Sequence, residues 1–109
     1  MYIYNVTIHI EESAHYDWRF WIEDHIKAVL ETGKFLSAKM TQVMVEEEKG
    51  GYTYSIQYLA NSKDDIDAYY REDAERLRGE ALKKFADKMV AFRTELRLVK
   101  EFFPASKKN

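Results

Sequence analysis

The 109-residue chain has no cysteine, which excludes a disulfide framework, a thiolate metal site and a thiol nucleophile or redox pair. Zinc ribbons and thioredoxin-like chemistry are therefore out. Long apolar runs are also missing: stretches such as Met89-Val90-Ala91-Phe92 fall far short of the roughly 20 residues that cross a bilayer. Met1 leads directly into Tyr2-Ile3-Tyr4-Asn5, with no basic segment followed by an apolar one. No signal peptide is read there, no membrane partner is expected, and a cytoplasmic location is. Positive charge is scarce as well: 17 basic against 19 acidic side chains give a net charge of −2, with an acidic triplet at Glu46-Glu47-Glu48 and a basic pair in the tail at Lys107-Lys108. Phosphate backbones call for concentrated positive charge, so nucleic acid is not an expected partner.

What the chain does have is 46% hydrophobic, 33% charged and 15% aromatic residues, the composition of one domain with its own core. That domain is expected over residues 1–100, with residues 101–109 as a disordered polar tail. Tyr2, Tyr4, Val6, Ile8 and Ile10 alternate with Ile3, Asn5, Thr7 and His9, which predicts a strand with one apolar face. From Ser13, a plausible N-cap, the period changes to that of an amphipathic helix: Trp18, Trp21, Ile22, His25, Ile26, Val29 and Leu30, ending near Gly33. Residues 35–46 and 52–60 read as two further strands, joined antiparallel across Glu47-Glu48-Lys49-Gly50-Gly51.

Ser62 is placed to cap a second helical region, read as two pieces with a junction between 72 and 80. Residues 89–99 form the last strand, with Val90, Phe92, Thr94, Leu96 and Leu98 assigned to the helix side and Ala91, Arg93, Glu95 and Arg97 to the other. Strand, helix, strand, strand, helix, strand is the ferredoxin-like βαββαβ pattern, an α+β two-layer sandwich with a four-stranded antiparallel sheet in the order 4-1-3-2. Helices on one side leave the other sheet face open. That face mixes polar residues with Ile3, Leu59 and some of Leu36, Met40 and Met44, so a second copy covering it, as in a dimeric α/β barrel, is expected.

Candidate chemistry is sparse. His25 sits one turn after Trp21 and is read either as an acid, base or ligand between helix and sheet, or as a histidine that only hydrogen-bonds a loop. Asn5, Gln57 and Arg93 fall on neighbouring strands, where their donors would hold a small anion or polarised carbonyl, or would instead form an interface network. Trp21 and Tyr54 are candidate pocket walls; Trp18 and Trp21 with Tyr69 and Tyr70 would line an apolar pocket, although residues at helical spacing are more often core. The three histidines have no metal-ligand spacing, and there is no phosphate-binding glycine loop or nucleophile elbow, so neither metal nor cofactor is expected. Gly51-Tyr52-Thr53-Tyr54 only partly matches the strand signature of RNA-recognition motifs: Gly50 stands at the basic position and Gln57 at the terminal aromatic one.

Asn5-Val6-Thr7, Trp18-x-x-Trp21, His25-Ile26, Thr32-Gly33-Lys34-Phe35, Tyr54-x-x-Gln57-Tyr58 and Ala91-Phe92-Arg93-Thr94, in this order, resemble a family of short, mainly bacteroidete proteins known as domain of unknown function 4286. The resemblance spans about residues 2–99 and implies a ferredoxin-like member of the dimeric α/β barrel group with no established activity. That wider group includes haem-degrading and antibiotic-biosynthesis monooxygenases. The haem-degrading enzymes use an Asn, a Trp and a His; Asn5 resembles the first, but no Trp or His follows residue 25. Where the family often carries a His-Ala-Pro step, this chain has Asp73-Ala74-Glu75, which carries no histidine role but supports a helix break near 73.

The expectation from these readings is a homodimeric small-ligand-binding or accessory protein. The competing expectation is a cofactor-independent oxygenase or isomerase using His25, with Asn5, Gln57 and Arg93 orienting an oxyanion.

Overall fold

A computed structural model of the protein describes residues 1–46 and 50–105. The elements are β1 (Tyr2–Ile10), α1 (Glu12–Glu31), β2 (Ser37–Gln42), β3 (Tyr52–Ala60), α2 (Lys63–Glu72), α3 (Ala74–Phe85) and β4 (Met89–Arg97), with a 3-10 turn at Ala86–Lys88 before the last strand. They build one sheet in the order β2-β3-β1-β4, antiparallel throughout. The predicted order is this one read from the other edge.

Alternation on β1 and β3 decides where the core lies. Tyr4, Val6, Ile8 and Ile10 pair across from Tyr58, Ile56, Tyr54 and Tyr52, and directly opposed residues share a face. This face packs under Trp18, Ile22 and Val29 of α1, Ile66 and Tyr69 of α2, and Leu77 and Phe85 of α3. The intervening residues Asn5, Thr7, Ser55 and Gln57 lie on the face that no helix covers.

Local signals explain the helix boundaries. Ser62 accepts a hydrogen bond from the Asp65 amide at 3.2 Å and caps α2 as expected. Helix α1 begins earlier than expected: Glu11 is its N-cap and Ser13 lies inside the first turn, because the chain leaves β1 at Ile10 and turns at once. At its far end Gly33 takes a φ of 79°, which suits glycine. The second helical region breaks at Asp73, inside the predicted junction. Lys34 holds that break from the α1–β2 connection, with Nζ 3.1 Å from Asp73 Oδ2.

Three expectations need correction. Strand β2 is shorter than 35–46, and Met40, opposite Ile56, lies on the helix side rather than the open one. In β4 the two faces are exchanged. The Glu11 amide donates to the Lys88 carbonyl at 2.9 Å, and Met89 then meets Ile10, so Ala91, Arg93 and Glu95 fall opposite Ile8, Val6 and Tyr4 on the helix side. Val90, Phe92, Thr94 and Leu96 take the open face. Third, β4 ends at Arg97 rather than 99, although the Leu98 amide still donates to the Met1 carbonyl at 2.9 Å.

Of the connection between β2 and β3, residues 47–49 lie outside the described ones, as do residues 106–109 of the tail; residues 98–105 form neither helix nor strand. Gly51, which immediately precedes β3 with a φ of 87°, has no room for a side chain: a Cβ there would stand 2.7 Å from the Ile10 carbonyl oxygen.

Candidate functional site

A cavity of about 40 Å³ lies between α1, α3 and the β1–β4 half of the sheet. Its polar lining is Tyr4, His25, Tyr58, Tyr69, Arg78 and Arg93, set among apolar walls that include Trp21, Ile22, Met89 and Ala91. Each element contributes for a local reason. Trp21 and His25 are one turn apart on α1, so their rings stack, with centroids 4.5 Å apart. Phe85 also packs on Trp21, edge to face at 5.3 Å. Arg78 follows Ala74 by four residues and precedes Ala81 by three, which puts a basic residue on the buried stripe of α3. Arg93 reaches the cavity from β4, opposite Val6.

The two guanidinium groups meet on one oxygen. Arg78 donates through Nη2 to Tyr4 Oη at 3.0 Å, and Arg93 through Nε to the same oxygen at 3.1 Å. Tyr4 is 2% exposed and held by Phe35, Tyr58, Tyr69 and Tyr70 packed around its ring. Arg78 also lies over the Tyr70 ring, 5.3 Å from its centroid. Neither arginine forms an ion pair among the described residues. Two buried atoms here lack hydrogen-bond partners: His25 Nδ1 and Arg78 Nε.

Burial holds the His25 imidazole below its ordinary pKa; Glu80 pulls the other way and Arg93 adds to the lowering. The ring is therefore neutral at neutral pH. Burial also pushes the Tyr58 and Tyr69 phenols up, so both stay protonated.

Of the residues read from sequence, Trp21, His25 and Arg93 come together at this cavity. Asn5 and Gln57 do not. They lie on the opposite face of the sheet, so the expected trio with Arg93 is split by the reversed β4. Asn5 is engaged there, accepting from Ser55 Oγ at 2.7 Å and donating to Thr7 Oγ1 at 3.3 Å. Tyr54 is buried at another part of the core, its hydroxyl 2.7 Å from His15 Nε2 and its ring 4.9 Å from Trp18. The sequence reading missed Tyr4 and Arg78 as polar cavity residues. For Arg78 the signal was present, since a basic residue on an apolar stripe either snorkels or has work to do.

Among the described residues, no group of three or more histidine or acidic side chains is placed to hold a metal ion, and no helix is long and apolar enough to cross a membrane.

A four-stranded antiparallel sheet with helices on one face, in this strand order, defines a ferredoxin-like α+β protein. More closely, the chain belongs to the family Domain of unknown function (DUF4286), whose family model matches residues 1–99. No curated protein matches the sequence.

Among solved structures, the chain is similar to a candidate antibiotic biosynthesis monooxygenase from Deinococcus radiodurans: TM-score 0.71, 11% identity, covering 97% of this chain and 100% of that one. It is similar to a mutant of SnoaB, a cofactor-independent oxygenase from Streptomyces nogalater, at TM-score 0.60 and 7% identity over 92% and 95% of the two chains. A dimeric ferredoxin-like protein from an uncultured marine organism matches at TM-score 0.56 and 18% identity over 95% and 100%. At such identities the likeness is one of fold.

Proposed function

We propose that the protein is a homodimer of ferredoxin-like subunits, joined through their open sheet faces, that binds a small molecule in the cavity between helices and sheet. The observation that carries the dimer is the reversed β4. Val90, Phe92 and Leu96 stand 51%, 66% and 42% exposed on one uncovered face, next to Ile3 and Leu59 of the neighbouring strands. Large apolar side chains grouped on one face mark a surface to be covered. The dimeric ferredoxin-like protein of the same fold gives independent support. Sedimentation velocity across micromolar concentrations tests the reading: a dimer is expected, and a clean monomer overturns it.

A second reading, a cofactor-independent oxygenase or isomerase, draws on one specific observation. His25 lines the cavity as a neutral imidazole with an unpartnered Nδ1, stacked on Trp21 in a space that two arginines also line, an arrangement suited to moving a proton while the arginines hold an oxyanion. The absorption spectrum of freshly purified protein is the first check. A featureless visible range agrees with both readings, and haem or flavin bands overturn the cofactor-independent one.

A further inference from the structure

We infer that the cavity holds a carboxylate, the headgroup of a small organic acid, between Arg78 and Arg93 and beside Tyr4 and His25. The inference rests on the cavity being a ligand site and adds the class of ligand. It follows from counting which polar atoms donate and which accept. A guanidinium has five N–H donors and no acceptor. Both arginines spend one donor on Tyr4 Oη, at 3.0 and 3.1 Å, and so occupy the two acceptor positions of that phenol oxygen. Tyr4 can then only donate. The Tyr58 and Tyr69 hydroxyls that line the same space keep their protons, Arg78 Nε points at no acceptor, and a neutral His25 can present Nδ1–H. The lining is rich in donors, and its remaining free acceptors, the Tyr58 and Tyr69 phenol oxygens, belong to groups that can equally donate. An ionised carboxylate is the complement, because it accepts at both oxygens and donates at neither.

Charge leads to the same ligand. Two guanidinium groups converge on one phenol oxygen, and no carboxylate of the described chain pairs with either. Glu95, two residues along β4 from Arg93, is taken by Lys63 at 2.7 Å, and Glu80 is exposed. Two positive charges, half-buried Arg78 and exposed Arg93, thus meet without a paired carboxylate, which favours an anionic ligand there. Size limits it: 40 Å³ holds about three water molecules. That is room for the three heavy atoms of a carboxylate, with Trp21, Met89 and Ala91 beside them for a short apolar chain.

The test uses the full chain with acetate as probe and follows the arginine Nε–H signals in proton–nitrogen correlation spectra, with acetamide, sodium chloride and inorganic phosphate in parallel at matched ionic strength. Acetate is expected to shift the Arg78 and Arg93 signals saturably, while acetamide and chloride leave them in place. Arg78→Gln is expected to weaken acetate binding roughly tenfold, the loss typical of a charge-assisted hydrogen bond. Arg93→Lys, which keeps the charge but not the planar fork, is expected to weaken it as well. The comparison of acetate with acetamide needs no variant, so it stands even if a substituted chain fails to fold. Acetamide binding as tightly as acetate, or phosphate binding more tightly, overturns the carboxylate while leaving the cavity a ligand site. Chloride producing the same shifts reduces the site to unspecific anion attraction and overturns it too. Absence of any saturable shift with all four probes overturns both the carboxylate and the ligand site.

Discussion

The two faces of the sheet are built from the same strands, residue by residue in alternation, yet they are held by different forces. On the helix side, Tyr4, Ile56, Tyr58, Trp18 and Leu77 make an apolar and aromatic core whose polar atoms include phenol oxygens, the arginines that reach them, the Trp18 Nε1 and the His25 ring. On the open side, β1 and β3 present a hydrogen-bonded polar row, Ser55 to Asn5 to Thr7, while the edge strand β4 adds Val90, Phe92 and Leu96. Folding of one chain needs the first face. The second face has apolar surface that one chain alone leaves in water, which is why stability and assembly should respond to different substitutions.

The largest effect is expected from Ile56→Ala. Ile56 is fully buried at the centre of the helix-side core, and its truncation should lower stability by about 2–5 kcal/mol, read from urea unfolding. A loss below about 1 kcal/mol would break the contrast between the faces. Next comes Phe92→Glu on the open face, which should weaken self-association at least roughly tenfold in sedimentation equilibrium while leaving the helical circular dichroism unchanged. Smaller again is Ser55→Ala, one residue from Ile56 but on the other face. Removal of its bond to Asn5 should cost about 1 kcal/mol.

The smallest effect concerns protons. His25 is held below its ordinary value of 6.5 by burial, so its contribution to stability is complete above that pH and is lost as pH falls through 6.5 toward the folded value. The unfolding temperature should therefore drop on mild acidification, and His25→Gln should flatten part of the drop. His15, lowered by burial and by Arg19 beside the Tyr54 hydroxyl, supplies a second part that His15→Gln should remove.

The period-two pattern of β1 and β3 specified both of their faces, and Ser62 marked a cap, because those signals are local; the break at Asp73 was bracketed only to a junction between 72 and 80, with the family resemblance pointing near 73. The face of β4 was not legible. A rule that sends apolar side chains to the core assumes only one face is to be covered, and β4 carries its apolar set on the other one. The ladder with β1, anchored by Glu11 and Lys88, overrides the pattern, and Arg93 and Glu95 are tolerated on the helix side because Tyr4 and Lys63 partner them. The candidate site was legible only in pieces for a related reason. Its central contacts join Tyr4 to residues 74 and 89 positions away, a distance at which no spacing rule operates.

Gly51 gives the antiparallel pairing of β1 with β3 a mechanical stop. If β3 slid forward by one residue, Tyr52 would enter a space where the Ile10 carbonyl leaves no room for a Cβ, and every side chain behind it would change sides. The reading frame of the sheet is thus set by a missing atom. A residue inserted ahead of that glycine leaves the frame untouched, whereas a single residue inserted just after it moves every β3 residue that follows to the other face.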